Sequence, residues 1–239
     1  MNGKEPPNSI RFIYYDTETT GIHSEKDRII EIAAYDSTQK RTFEMLVNPA
    51  CPIPEGATAI HHITDEMVAN QPDFSEAGKK FVEFCQGDVL LIAHNNDNFD
   101  QHFLNHEFSR HNLPMPSWQF ADSLKWARRY RPDLPEHNLQ FLRKIYGIAP
   151  NQAHRALDDV MVLCRIFEKL IDDLSAEDVI TLLNQPRDIT VMPFGKYQGH
   201  PLKKVPAEYI KWLASKGAFD KKENQELRKS FEKQGLLAK

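Results

Sequence analysis

The chain has 239 residues, 41% hydrophobic and 27% charged, with a formal net charge of −4. That length supports one domain with a substantial core, or such a domain with a small appendage, and the composition excludes a low-complexity or broadly disordered polymer. The longest purely apolar run, Val89 to Ala93, falls far short of the roughly 18 residues of a membrane helix, the start MNGKEPPNSI lacks a signal-peptide core, and Cys51, Cys85 and Cys164 lack disulfide or zinc spacing, so a cytoplasmic protein with no membrane partner is expected.

Periodicity places the elements along the chain. Residues 10–16, 28–36 and 41–47 read as three strands joined by short turns, an antiparallel meander. A proline-rich loop, NPACPIPEGATAIHHIT, follows; then come a helix around Phe74 to Cys85 and an apolar strand over 88–94. Helical patterns at 98–111, 123–130, 138–146 and 155–172 come next, with WQFADS as a short strand between the first two. Strands first, then alternation with helices, imply an α/β fold in which a mixed sheet packs between helices. The first domain closes with a further helix and polar connection in LSAEDVITLLNQPRDIT, which divides the chain into residues 1–183 and 184–239. The second part reads as a strand, a glycine turn and a helix with Tyr209, Trp212 and Leu213 on one face. Charge divides there too: residues 186–239 hold 12 Lys and Arg against 6 Asp and Glu, a net of +6, leaving −10 for residues 1–185.

The first strand ends in paired acids. In RFIYYDTETTG, alternation puts Asp16 and Glu18 on one face, with Cα atoms roughly 7 Å apart, so both carboxylates can reach one ion. Acids that end a mostly buried strand repel each other and lose hydration, so they either hold protons or take a cation; a solvated turn is the alternative. Hard oxygen donors suit Mg2+ or Mn2+. Asp100 follows the strand LLIAH, at the end where open α/β sheets place ligands, although a first-turn acid also complements a helix dipole. On the 155–172 helix, Asp159 lies about 60° from the middle of the stripe formed by Ala156, Val160, Leu163, Phe167, Leu170 and Ile171, and Asp158 lies about 160° away. His154 precedes the first regular turn and can lean toward the same site.

Together, DTETTG, HNNDNFD and HRALDD resemble the three exonuclease motifs of the DnaQ-like DEDDh family, the 3′-to-5′ exonucleases that include polymerase proofreading subunits, exonuclease X and the animal three-prime repair exonucleases. The resemblance spans about residues 10–172 and extends to AIHHITDEMV, ADSLKWAR and HNLQFL. It implies a ribonuclease H-like mixed five-stranded sheet flanked by helices. It also implies metal binding by Asp16, Glu18, Asp100 and Asp159, a catalytic base at His154, and two Mg2+ ions that Mn2+ can replace. Thr20, Gly21, Ile22, His61 and Phe99 would meet the terminal nucleotide, with Ile22 as an apolar wedge. The implied reaction is hydrolysis of the 3′-terminal phosphodiester of DNA to a nucleoside 5′-monophosphate, in repair, degradation or proofreading. An RNA-trimming enzyme of the same fold and a non-catalytic nucleic-acid or polymerase-binding module are the alternatives, and association with a polymerase is left open. Two features depart from the pattern. Asn96, Asp97 and Asn98 stand where two residues are common, making Asp97 a rival to Asp100, and His62 stands where glycine is usual. The tail MPFGKYQGHPLKKVPAEYIKWLASKG resembles the small C-terminal domain of exonuclease X-like proteins, and its Lys196, Tyr197, Lys203 and Lys204 suit phosphate contact and base stacking.

Overall fold

Aromatic and β-branched residues dominate the first extended segment and make up half of the second, which favours pleated chain over helix, and the third pairs along the second. They form β1 (Arg11–Thr19), β2 (Ile29–Asp36) and β3 (Arg41–Leu46), joined by β4 (Val89–Ala93) and β5 (Gln119–Asp122) in one five-stranded sheet of order β3-β2-β1-β4-β5. β1 pairs antiparallel with β2, and β2 with β3, whereas β4 runs parallel to both β1 and β5. The sheet is mixed, with β1 at its centre. This architecture comes from a computed structural model that describes residues 10–149, 155–185, 188–221 and 224–237.

Short helices replace an expected loop. NPACPIPEGATAIHHIT holds α1 (Glu55–His61) and α2 (Asp65–Val68). Its prolines all precede α1, where Pro54 at φ −61° caps the helix start without interrupting it. Counting prolines therefore overstated the irregularity. Parallel pairing then requires crossovers. α3 (Phe74–Phe84) leads into β4, α4 (Asp100–Arg110) joins β4 to β5, and α5 (Ser123–Tyr130), α6 (Leu139–Ile145), α7 (Ala156–Ile171) and α8 (Ala176–Asn184) follow. Side-chain caps start several of them: Asp73 accepts from the Glu76 N–H, and Asn138 accepts from the Phe141 N–H.

Period-two alternation gives the sheet two apolar faces. Ile13, Tyr15, Ile32 and Leu91 pack with Phe74, Phe81, Phe103 and Phe108. Tyr14, Ala33, Leu90 and Ile92 pack with Val160, Leu163 and Phe167 of α7 and with Trp126. Asp16 and Glu18 belong by alternation to the Tyr14 face, so the packing that buries α7 also brings its first turn to them.

The chain divides into two compact units, residues 1–183 and 184–239. In the second, α9 (Ala207–Ser215) and α10 (Gln225–Lys233) close a core of Met192, Leu202, Ile210, Leu213, Phe219, Leu227 and Phe231. The strand expected there is a single bridge between Val191 and Pro201, because a residue without an N–H cannot extend a ladder. Among the described residues no helix is long and apolar enough to cross a membrane.

Phe167 lies edge-on to Tyr14 at 6.2 Å and to Trp126 at 5.9 Å. Phe167→Ala is expected to lower the unfolding free energy by about 3–5 kcal/mol, measured by urea denaturation.

Candidate active site

The parallel pairing of β1 with β4 runs only from Arg11–Val89 to Tyr14–Ile92. Asp16 and Glu18 therefore project past the carboxyl end of β4, where no neighbouring strand covers that side. On the other side β2 continues, and Glu18 stands opposite Glu31 just before a register shift between Glu18 and Thr19. Asp159, in the first turn of α7, is buried against this strand end. One carboxylate oxygen from each of Asp16, Glu18 and Asp159 lies within 4.8 Å of the others.

Asp100 adjoins the three from the start of α4. Buried, it accepts hydrogen bonds on Oδ1 from the Thr17 N–H at 3.1 Å and the Thr17 hydroxyl at 2.7 Å. Thr17 separates Asp16 from Glu18, so these bonds tie the fourth acid to the middle of the pair. Asp97 turns elsewhere, to Lys125 Nζ at 3.0 Å. The extra residue of this motif is taken up in a 3-10 turn, Asn96–Asn98, entered through a left-handed Asn95 at φ 71°. The Asp122 carboxylate holds that turn, accepting from the N–H groups of Asn95 and Asp97 at 3.1 Å each. The same group accepts from Leu124 at 2.8 Å and Lys125 at 3.1 Å at the head of α5.

Crowding four acids has an electrostatic consequence. Burial, then the charges of Asp100, Glu18 and Asp159, raise the Asp16 carboxyl well above its usual range. Burial followed by Glu31 and Asp159 pushes Glu18 up to about 8, against a lowering influence from Arg155. Burial pushes Asp100 up to about 7, although its bonds from Thr17 favour the ionised form. Oxygen-only donors within one ion's reach, their proton affinity raised by burial and by one another's charge, fit a hard divalent cation.

Glu31 is the residue that sequence periodicity passes over. Fully buried, it accepts from Arg155 Nη2 at 3.0 Å and from the Ala156 N–H at 3.1 Å, anchoring the start of the helix that carries Asp159. An acid inside the otherwise apolar IIEIAAY was the available signal. His154 lies outside the described residues.

The remaining predicted contacts occupy three places. Thr20 closes the turn after β1: its N–H donates to the Arg28 carbonyl and its Oγ1 accepts from the Arg28 N–H, both at 2.9 Å. A Cβ at Gly21 would collide with the Asp27 carboxylate, and Ile22 is 75% exposed. Behind that loop, Arg110 donates to the carbonyls of Ser24 at 2.7 Å and Asp27 at 2.9 Å, while buried Glu107 accepts from Arg28 Nε at 2.8 Å. His61 is buried at the end of α1, its Nδ1 accepting from the Ile63 N–H at 3.0 Å, which leaves the ring proton on Nε2. His62 follows in the left-handed conformation, φ 63°, which glycine adopts at less cost than any residue with a Cβ. Phe99 is half-buried, with its ring 4.8 Å from that of Phe103 and its side chain against the core.

A mixed five-stranded sheet with an acid cluster at the carboxyl end of its central strand defines a nuclease of the ribonuclease H-like class. The Exonuclease family matches residues 13–167, and the family of "Putative quorum-sensing-regulated virulence factor" matches residues 181–232. The chain is 40% identical over 167 residues to DNA polymerase III subunit epsilon of Treponema pallidum, covering 68% of this chain and 77% of that protein. It is 36% identical over 197 residues to Exonuclease DPD1, chloroplastic/mitochondrial, of Arabidopsis thaliana, covering 74% of this chain and 62% of that one. A solved structure of "Exonuclease X in complex with 5′ overhanging duplex DNA" shares the fold at a TM-score of 0.56 and 24% identity, over 72% of this chain and 99% of that one. The chain belongs to the Exonuclease family and is a DnaQ-like 3′-to-5′ exonuclease.

Two outcomes are expected here. Glu18 and Asp100 bind protons more tightly folded than unfolded, so the stability they contribute is full at acid pH and is lost as pH rises toward about 7 to 8. In chelator the melting temperature should therefore fall between pH 5 and pH 8, less steeply in Glu18→Gln, and Mg2+ should restore more at pH 8 than at pH 5; parallel profiles for the two proteins would count against this. Asp122→Ala strands four N–H groups and should cost about 2–4 kcal/mol of stability in urea titration.

Proposed function

We propose that this enzyme is a Mg2+-dependent exodeoxyribonuclease that removes nucleoside 5′-monophosphates from DNA 3′ ends in the cytoplasm, with a nuclease domain over residues 1–183 and a small basic domain over 184–239. The observation that carries this reading is the cluster of Asp16, Glu18 and Asp159 within 4.8 Å, with Asp100 tied to Thr17 beside it. These four acids would hold two divalent ions, for which Mn2+ can substitute. When bound, such ions polarise a phosphodiester and lower the pKa of water. Asp100 is preferred to Asp97 because Asp97 is committed to Lys125.

His154 is assigned the proton of the attacking water, a role that suits imidazole because it titrates near neutrality. Glu31 fixes Arg155, the residue after His154, and so sets where the motif joins α7. Thr20, Gly21 and Ile22 meet the terminal nucleotide, with exposed Ile22 wedged against its base and the braced loop behind it resisting displacement. His61 and Phe99 pack near the terminal base or sugar. The relative named as a DNA polymerase subunit supports DNA as the substrate. Service beside a polymerase is the second reading, favoured by 40% identity to a relative named subunit epsilon over 77% of its length.

Matched 5′-labelled single-stranded DNA and RNA test both substrate and site. With Mg2+ the wild type should give a 3′-to-5′ ladder on DNA, chelator and Asp16→Ala should abolish it, and His154→Ala should slow it roughly 10²- to 10⁴-fold. Faster trimming of RNA, or a ladder surviving in Asp16→Ala, overturns the assignment.

A further inference from the structure

The second unit carries an aromatic array that runs outward from its core, against which Tyr197 and Tyr209 pack half-buried. Trp212, on α9, is 51% exposed, yet its neighbour Leu213 is buried in the unit's core. The indole stacks on the Tyr209 ring, with centroids 5.4 Å apart and planes inclined by 22°. The Tyr209 and Tyr197 rings meet edge to face at 4.8 Å, His200 meets Tyr197 in the same way at 5.9 Å, and Lys196 Nζ stands 5.6 Å from the Tyr197 ring centre.

The turn before α9 is shaped around this array. Gly195 has φ +74°, and a Cβ there would stand 2.5 Å from Tyr209 Oη, which also accepts the Lys196 N–H at 3.3 Å. A bulkier residue at 195 would displace Tyr209 and the indole stacked on it. Lys196, Lys203, Lys204, Lys211 and Lys216 are all exposed. A small unit has little apolar surface to spare, so a tryptophan left half in water points to something that covers it. A flat apolar face with the Lys196 ammonium at one of its rings, on a unit with four further exposed lysines at 203, 204, 211 and 216, complements a chain of bases joined by phosphates, because every base has a π-face and every linkage a negative charge.

We infer that the C-terminal unit binds single-stranded DNA, with Trp212 on Tyr209 as a stacking platform and Lys196, Lys203 and Lys204 on the phosphates. The choice of DNA over RNA rests on the exodeoxyribonuclease reading above. The surface is a second substrate contact, separate from the acid cluster.

The test uses the full chain. Anisotropy of a labelled 20-nucleotide oligo(dT) is titrated in chelator at several salt concentrations, and hydrolysis of the p-nitrophenyl ester of thymidine 5′-monophosphate is followed with Mg2+. Trp212→Ala should weaken oligo(dT) binding about 5- to 100-fold, Trp212→Phe should retain most of it, and Lys203→Gln with Lys204→Gln should reduce the salt slope by about 0.7 per lysine. The single-nucleoside ester should be hydrolysed normally by all three, and not by Asp16→Ala. Wild-type affinity and slope in Trp212→Ala overturn the inference while leaving the nuclease reading intact. A larger effect of Trp212→Ala on oligo(U) than on oligo(dT) overturns the choice of DNA. An inactive wild type on the ester, with oligo(dT) binding still dependent on Trp212, would instead fault the nuclease reading.

Discussion

Repulsion among four crowded carboxylates is the constraint around which the first unit is built. Asp16, Glu18, Asp100 and Asp159 come from β1, α4 and α7, and each would be more stable hydrated and apart. The fold holds them together through hydrogen bonds made by residues outside the cluster. Thr17 donates twice to Asp100, Asp122 grips the turn leading to α4, and Glu31 occupies Arg155 and the Ala156 N–H at the head of α7. In the last case a fifth acid, itself buried, pairs with Arg155, so that part of this guanidinium's positive charge is answered outside the cluster.

Much of this arrangement could be read from one chain, and the failures have a common cause. Alternation along RFIYYDTETTG places Asp16 and Glu18 together because strand geometry is local, and the helical angle of Asp159 against Val160, Leu163 and Phe167 is local in the same sense. Glu31 was not legible because its role depends on Ala156, 125 residues away. Asp122 was read only as part of a short strand, since its function is to accept amides from a turn 25 residues earlier. The two short helices after β3 were hidden by prolines whose position, before the helix rather than within it, matters more than their number.

The two units differ in electrical character as well as in architecture. The first has an excess of acids and concentrates several of them at one strand end; the second carries an excess of bases and an exposed Trp212 stacked on Tyr209. A nuclease must bring a polyanion to a cluster of carboxylates, and field alone would discourage that approach. With the surplus positive charge on a separate unit, the strand end of the first unit keeps its acids together without added lysines and arginines among them.

The 3-10 turn at Asn96–Asn98 bears on how such sites diversify. Its two ends are fixed independently, the first by Asp122 on the amides of Asn95 and Asp97, the second by Thr17 on Asp100. Residue 98 lies between the anchors and is exposed to solvent, so chain length there can change without moving either end. Spacing within the motif is thus a poor guide to which acid is equivalent to which. What identifies the position is the pair of hydrogen bonds from the threonine between the first two acids, and an insertion that preserves those bonds is structurally silent.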